Sequence, residues 1–159
     1  MSEQIVRVVT IHDLKNHVLA LDLKDVLDTL RGSIDAWAWH VDDLECTGAR
    51  SREVCDAIRR AEGRGIWLSS AELVDLANSI DQTIDGQFLA FAVDGGPPNL
   101  TQTDLDLAFF SENNCKLGIR VVDSSFIEVY LKDEQHLKAL KGRFRDVREP
   151  DLSLYFLNR

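Results

Sequence analysis

The chain has 159 residues, of which 45% are hydrophobic and 28% charged, a composition of globular and not of disordered proteins. Its 27 Asp and Glu against 18 Lys and Arg give a net charge of −9, which argues against unspecific binding to nucleic acid or anionic lipid, since both need clustered cations. The length suits one domain, residues 1–159, with a sizeable core.

In chain order, Ile5 to Ile11 is rich in β-branched residues and reads as a strand. His12 to Asn16 is polar and turn-like. His17 to Leu21 reads as a short second strand or as the start of a helix, and the strand is favoured. A helix then follows with Asp22 as N-cap, Leu23, Val26, Leu27 and Leu30 as its apolar face, and Gly32 at its C-terminal end. Ile34 to Glu45 carries Trp37, Trp39 and Val41 at period two, which puts both indoles on one face of a strand. Ser51 to Glu62 has Val54, Ile58 and Ala61 at helical spacing, closed by Gly63 and Gly65.

Ser69-Ser70-Ala71-Glu72 is a capping box, in which the first serine accepts a first-turn amide and the glutamate reaches back. Behind it Leu73, Leu76, Ala77, Ile80 and Ile84 extend one apolar helical stripe. Gln87 to Val93 is almost continuously apolar and predicts a strand buried on both faces, near the sheet centre. Asp94 to Asn99, with its Gly-Gly-Pro-Pro, is a loop. A short helix is expected within Thr103 to Glu112. Cys115–Val122 and Ser125–Leu131 form a hairpin through Asp123-Ser124, Asp133–Phe144 a helix, and Leu152–Leu157 a terminal strand. Hairpins mixed with single helices predict an α+β fold, with a largely antiparallel or mixed sheet of five to seven strands and helices packed on it.

No apolar run approaches the ~20 residues that span a bilayer, and Met1 to Gln4 lacks the basic start of a secretory signal. Three cysteines, Cys46, Cys55 and Cys115, in no C-x-x-C spacing fit reduced thiols, so the expected location is cytoplasmic. The histidines show no metal-binding spacing, and neither a nucleophile elbow nor a phosphate or dinucleotide loop is present. No cofactor is expected.

Asp43-Leu44-Glu45-Cys46-Thr47-Gly48 closes the tryptophan strand. The hexapeptide resembles the first motif of the DEDD family of 3′–5′ exonucleases, D-x-E-x-T-G. The resemblance implies that Asp43 and Glu45 are ligands of a two-metal site, on one side of a strand because they are two apart. The rest departs from that family: downstream of Gly48 the one histidine, His136, is followed five residues later by Lys141, and the one H-x4-D pair, His17 and Asp22, lies upstream. The residue-level alternative is a strand ending in a polar turn, with Gly48 at a positive φ.

Charge is distributed unevenly. Between Gly65 and Cys115 there is no Lys or Arg, while eight carboxylates give a local net of −8. From Lys132 to Arg148 six basic residues face three acidic ones. Carboxylates such as Asp75, Asp81, Asp104 and Asp106 would steer a basic protein partner, and Trp37 and Trp39 would serve as aromatic anchors. The leading expectation is therefore a small acidic interaction module, in concrete form an inhibitor or immunity-type protein that covers a basic enzyme. The runner-up is a metal-dependent, nuclease-like enzyme using Asp43 and Glu45. The terminal strand, with Tyr155 and Phe156, suits pairing in a homodimer or cover by the preceding basic helix.

Overall fold

The computed structural model describes residues 5–16, 18–48, 51–94, 100 and 105–152. Asp104, the Gly-Gly-Pro-Pro loop, His17 and residues 153–157 of the expected terminal strand lie outside the described residues.

The architecture is α+β. Among the described residues seven strands form one sheet in the order β5-β4-β6-β7-β8-β1-β9, and every neighbouring pair is antiparallel. They are β1 (Arg7–Ile11), β4 (Trp37–Gly48), β5 (Ile66–Ser69), β6 (Ile80–Ala92), β7 (Leu117–Val122), β8 (Phe126–Leu131) and β9 (Val147–Arg148). A separate two-residue hairpin joins β2 (Leu14–Lys15) to β3 (Val18–Leu19). The helices are α1 (Leu23–Thr29), α2 (Ser51–Arg60), α3 (Ser70–Ser79), α4 (Leu107–Glu112) and α5 (Glu134–Arg143). Among the described residues no helix is long and apolar enough to cross a membrane.

The pleat divides each central strand between two cores. Val9, Ile11, Trp39, Val41, Phe88, Ala90, Ile119, Val129 and Leu131 point to one face, where α1, α2, α3 and α5 bring Leu23, Val26, Ile58, Leu73, Leu76, Leu137 and Leu140. Val8, Leu89, Phe91 and Tyr130 point to the other, under Leu105, Leu107 and Phe110 of the α4 region. Residues 87 to 91 are buried on both sides, as their continuous apolar character predicts for a central strand.

The helix starts follow their sequence signals. Asp22 caps α1 in a capping box with Asp25, and its carboxylate also accepts the Thr83 N–H at 2.8 Å and the Thr83 hydroxyl at 2.6 Å, tying the helix to β6. Ser69 and Glu72 form the reciprocal pair at α3. Asp133 caps α5. The β7–β8 turn places Asp123 and Ser124 both in the left-handed region, and the Ser125 N–H closes it on the Val122 carbonyl at 2.8 Å.

Two expectations are corrected, and one strand was not foreseen. Ile80 and Ile84 do not continue α3: its C-cap is Ile80, already extended at φ −83 and ψ 131, and both residues belong to β6. The helix expected to end at Gly32 stops earlier, with Leu30 as C-cap, and Gly32 takes φ +92 in the turn beyond it. Residues Ile66–Ser69 form an edge strand, β5, that no periodicity announces. Leu152 lies in a turn packed against the second core.

Candidate functional site

The site begins with an irregularity in the β4–β6 ladder. Pairing is regular from Trp37↔Ala92 to Asp42↔Gln87, then shifts between Asp42 and Glu45 and again after Glu45. Asp43 occupies the extra position with φ +50, a left-handed conformation that Asp tolerates better than most residues, and its N–H is held by the Asp42 carboxylate at 2.9 Å. Leu44 turns into the core, so Asp43 and Glu45 on either side of it are both exposed. Glu45 then pairs with Asp85, a half-buried carboxylate that accepts the Asp123 N–H at 2.9 Å and so ties β6 to the β7–β8 turn.

Two clefts meet at this bulge. One, of about 400 Å³, is lined by Asp43, Glu45, Asp85, Gly86, Gln87 and Arg120 and by the end of β7. It sets three carboxylates against one guanidinium. The other, of about 380 Å³, lies between β4 and α2 and includes Cys46, Cys55, Arg52 and Arg59 beside the same Asp43 and Glu45. Gly48 ends the strand at φ +136, where a Cβ would meet the Asp81 nitrogen at 2.9 Å. Glycine is required there on both counts, which is the role expected of it.

The first cleft opens onto a polar row that crosses the sheet. Asp42, Gln87, Arg120, Glu128, Thr10 and Arg148 are successive cross-strand partners on β4, β6, β7, β8, β1 and β9. Residues directly opposite share a face, so the six side chains stand on one side, beside the second core. Asp42, Gln87, Glu128 and Thr10 are buried. The Gln87 carbonyl oxygen accepts the Leu105 N–H at 2.9 Å. His12, just past the end of β1, stacks on Phe126 at 5.2 Å and bonds Thr10 at 2.9 Å through Nε2. Burial, followed by the charge of Arg148, lowers the pKa of His12.

The structure separates the carboxylates that the sequence groups together. Asp75 is exposed on α3, in a cleft with Arg31, Asp35 and Asn78. Asp106 is the N-cap of α4, packed on the opposite face, and its carboxylate accepts the Phe109 N–H at 2.8 Å. Asp81 is exposed near the start of β6, where it lines a cleft of about 530 Å³ with Lys15, Asp22, Lys24 and Asp25. Asp81 therefore joins the bulge end of β6, and Asp75 and Asp106 do not.

The tryptophans take different places. Trp39 is fully buried, with its indole N–H donated to the Ser70 hydroxyl at 2.9 Å, so it presents no surface to a partner. Trp37 is half-buried against Trp39 and edge-on to His136 at 5.8 Å. Among the described residues no group of three or more His, Cys, Asp or Glu side chains is placed to hold a metal ion. Asp43 and Glu45 line the same two clefts. Asp85, Gln87, Arg120 and Glu128 were not legible as site residues, because only the strand register brings them together.

No family model, no curated protein and no solved structure matches the chain.

Proposed function

We propose that the protein is an acidic interaction module of the inhibitor or immunity type, and that a basic partner docks at the bulge end of β4 and β6. The observation that supports this reading is the cleft in which exposed Asp43 and Glu45 join Asp85 around a single guanidinium, with Asp81 further along the same strand. Carboxylates presented on a rigid sheet steer a cationic surface into register, and a Lys- or Arg-rich groove of a basic enzyme is complementary to them. Arg120 lies inside the cleft and gives the partner a carboxylate-binding point, so recognition is not a matter of net charge alone.

The test is association kinetics with a small basic nuclease across ionic strength. The on-rate should fall at least tenfold between low and physiological salt. Glu45→Lys and Asp81→Lys, both at exposed positions, should slow association several-fold while leaving the melting curve unchanged. A salt-independent on-rate, or variants that associate like the wild type, would discard the reading. Cleavage of single-stranded DNA on adding Mg²⁺ or Mn²⁺ would instead favour the enzyme built on Asp43 and Glu45.

A further inference from the structure

Cys46 and Cys55 are nine positions apart on different elements, and the fold brings them together. Cys46 sits on β4 just past the bulge, and Cys55 sits in α2, which packs on that strand. Both side chains pack against the first core and line the same cleft. The Cys55 thiol also donates to the Leu44 carbonyl at 3.3 Å, which holds its sulfur over β4. Both side chains are half-buried, and both line the 380 Å³ cleft with Arg52 and Arg59, which is room enough for a small oxidant. Cys115 differs in each respect. It is fully buried in the second core and donates to the carbonyls of Leu117 at 3.2 Å and Ala90 at 3.4 Å.

We propose that Cys46 and Cys55 are a modification site, a dithiol that hydrogen peroxide converts into one intramolecular disulfide fastening α2 to β4. The sulfur of Cys55 attacks one peroxide oxygen and the O–O bond breaks, giving a sulfenic acid and one water. The sulfur of Cys46 then attacks that sulfenyl sulfur. The S–O bond breaks and a second water leaves with the Cys46 proton. The two sulfurs together lose two electrons, and the peroxide gains them. Burial, followed by the neighbouring Cys55, pushes the Cys46 thiol up to about 12, which disfavours Cys46 as the first nucleophile and assigns it the resolving step. The bond would fix the cleft wall beside Asp43 and Glu45 but is independent of whether a basic partner docks there.

The experiment uses the full chain and hydrogen peroxide, followed by alkylation under denaturing conditions and peptide mass mapping. Trypsin cuts after Arg50 and Arg52, so the two cysteines fall on separate peptides. Expected are those peptides joined, about 2 Da lighter than the two thiol peptides combined, and a Tm raised by about 5 °C, as closing a short loop implies. Dithiothreitol should reverse both changes. Cys46→Ser should give no Tm rise and leave Cys55 as sulfenic or higher acids. Should that variant not fold, the wild-type peptide map decides alone. Alkylation of both thiols after peroxide, over-oxidation of Cys55 beside an intact Cys46 thiol, or a bond between two chains would overturn the proposal.

Discussion

Ser70 shows how much one small side chain carries. Its hydroxyl is buried at 5% exposure, accepts the Trp39 indole N–H and donates to the Ile34 carbonyl, so one oxygen fixes the largest core side chain and the loop before β4. Ser70→Ala removes both bonds while keeping the helix, and leaves a buried donor and a carbonyl unpaired. The expected cost is about 2 kcal/mol, read as a fall in Tm of about 4–8 °C with an unchanged far-ultraviolet spectrum. A loss below about 0.5 kcal/mol would mean that the indole finds another acceptor. Sequence foresaw part of this. The capping box identified Ser69 as the helix start, and period two placed Trp37 and Trp39 on one face. The bond from Trp39 to Ser70 spans 31 residues and leaves no local mark.

At the scale of elements, the N-cap of α1 does more than begin a helix. Asp22 satisfies Leu23 at 2.7 Å and both polar groups of Thr83. Asp22→Ala should therefore cost more than the typical ~1 kcal/mol of a cap, about 2–3 kcal/mol, because the Thr83 N–H loses its acceptor as well. Asp22→Asn should recover about half of this, as measured by urea unfolding. The caps, the β7–β8 hairpin and the doubly buried strand were all legible, since each depends on residues within one turn or one strand. The edge strand β5 was not, because Ile66-Trp67-Leu68 is too short to show a period between Gly65 and Ser69. Ile80 and Ile84 misled for another reason: the positions i+7 and i+11 of a helical stripe are also consistent with strand alternation, and only partners decide. The bulge at Asp43 is likewise invisible without β6, so the pair Asp43 and Glu45 could be read but not the cleft they line.

At the scale of the molecule, charge closes one corner of the fold. Glu149 bridges Arg7 of β1 at 3.1 Å and Lys141 of α5 at 2.6 Å, and Arg7 also meets Glu134 at 3.1 Å. The hydrogen bond from Lys141, followed by that from Arg7, holds the Glu149 carboxyl below its ordinary range. A depressed carboxyl stabilises the fold fully above its unfolded pKa of about 4.3, and that contribution is lost as pH falls through the lower folded value. Glu149→Gln should thus lower stability by about 1 kcal/mol at pH 7, as solvent screening allows for an exposed network. The difference from wild type should shrink in denaturation curves as pH falls through that lower value. The asymmetry of charge along the chain was legible from composition. Its division over the two faces of the sheet was not, since α3 and α4 are close in sequence but cover opposite cores.

The strand order has a consequence in time. β1 lies between β8 and β9, with Arg7 opposite Leu131 and Thr10 opposite both Glu128 and Arg148. β1 therefore has no partner until β8, more than a hundred residues later in the chain, has been made. Until then Val8, Val9 and Ile11 remain an unpaired apolar ribbon, while the segments from β4 to β7 are able to assemble by shorter-range contacts. Closure of the sheet is a long-range event, and synthesis that pauses before Phe126 leaves the apolar β1 ribbon exposed to chaperones and to other chains.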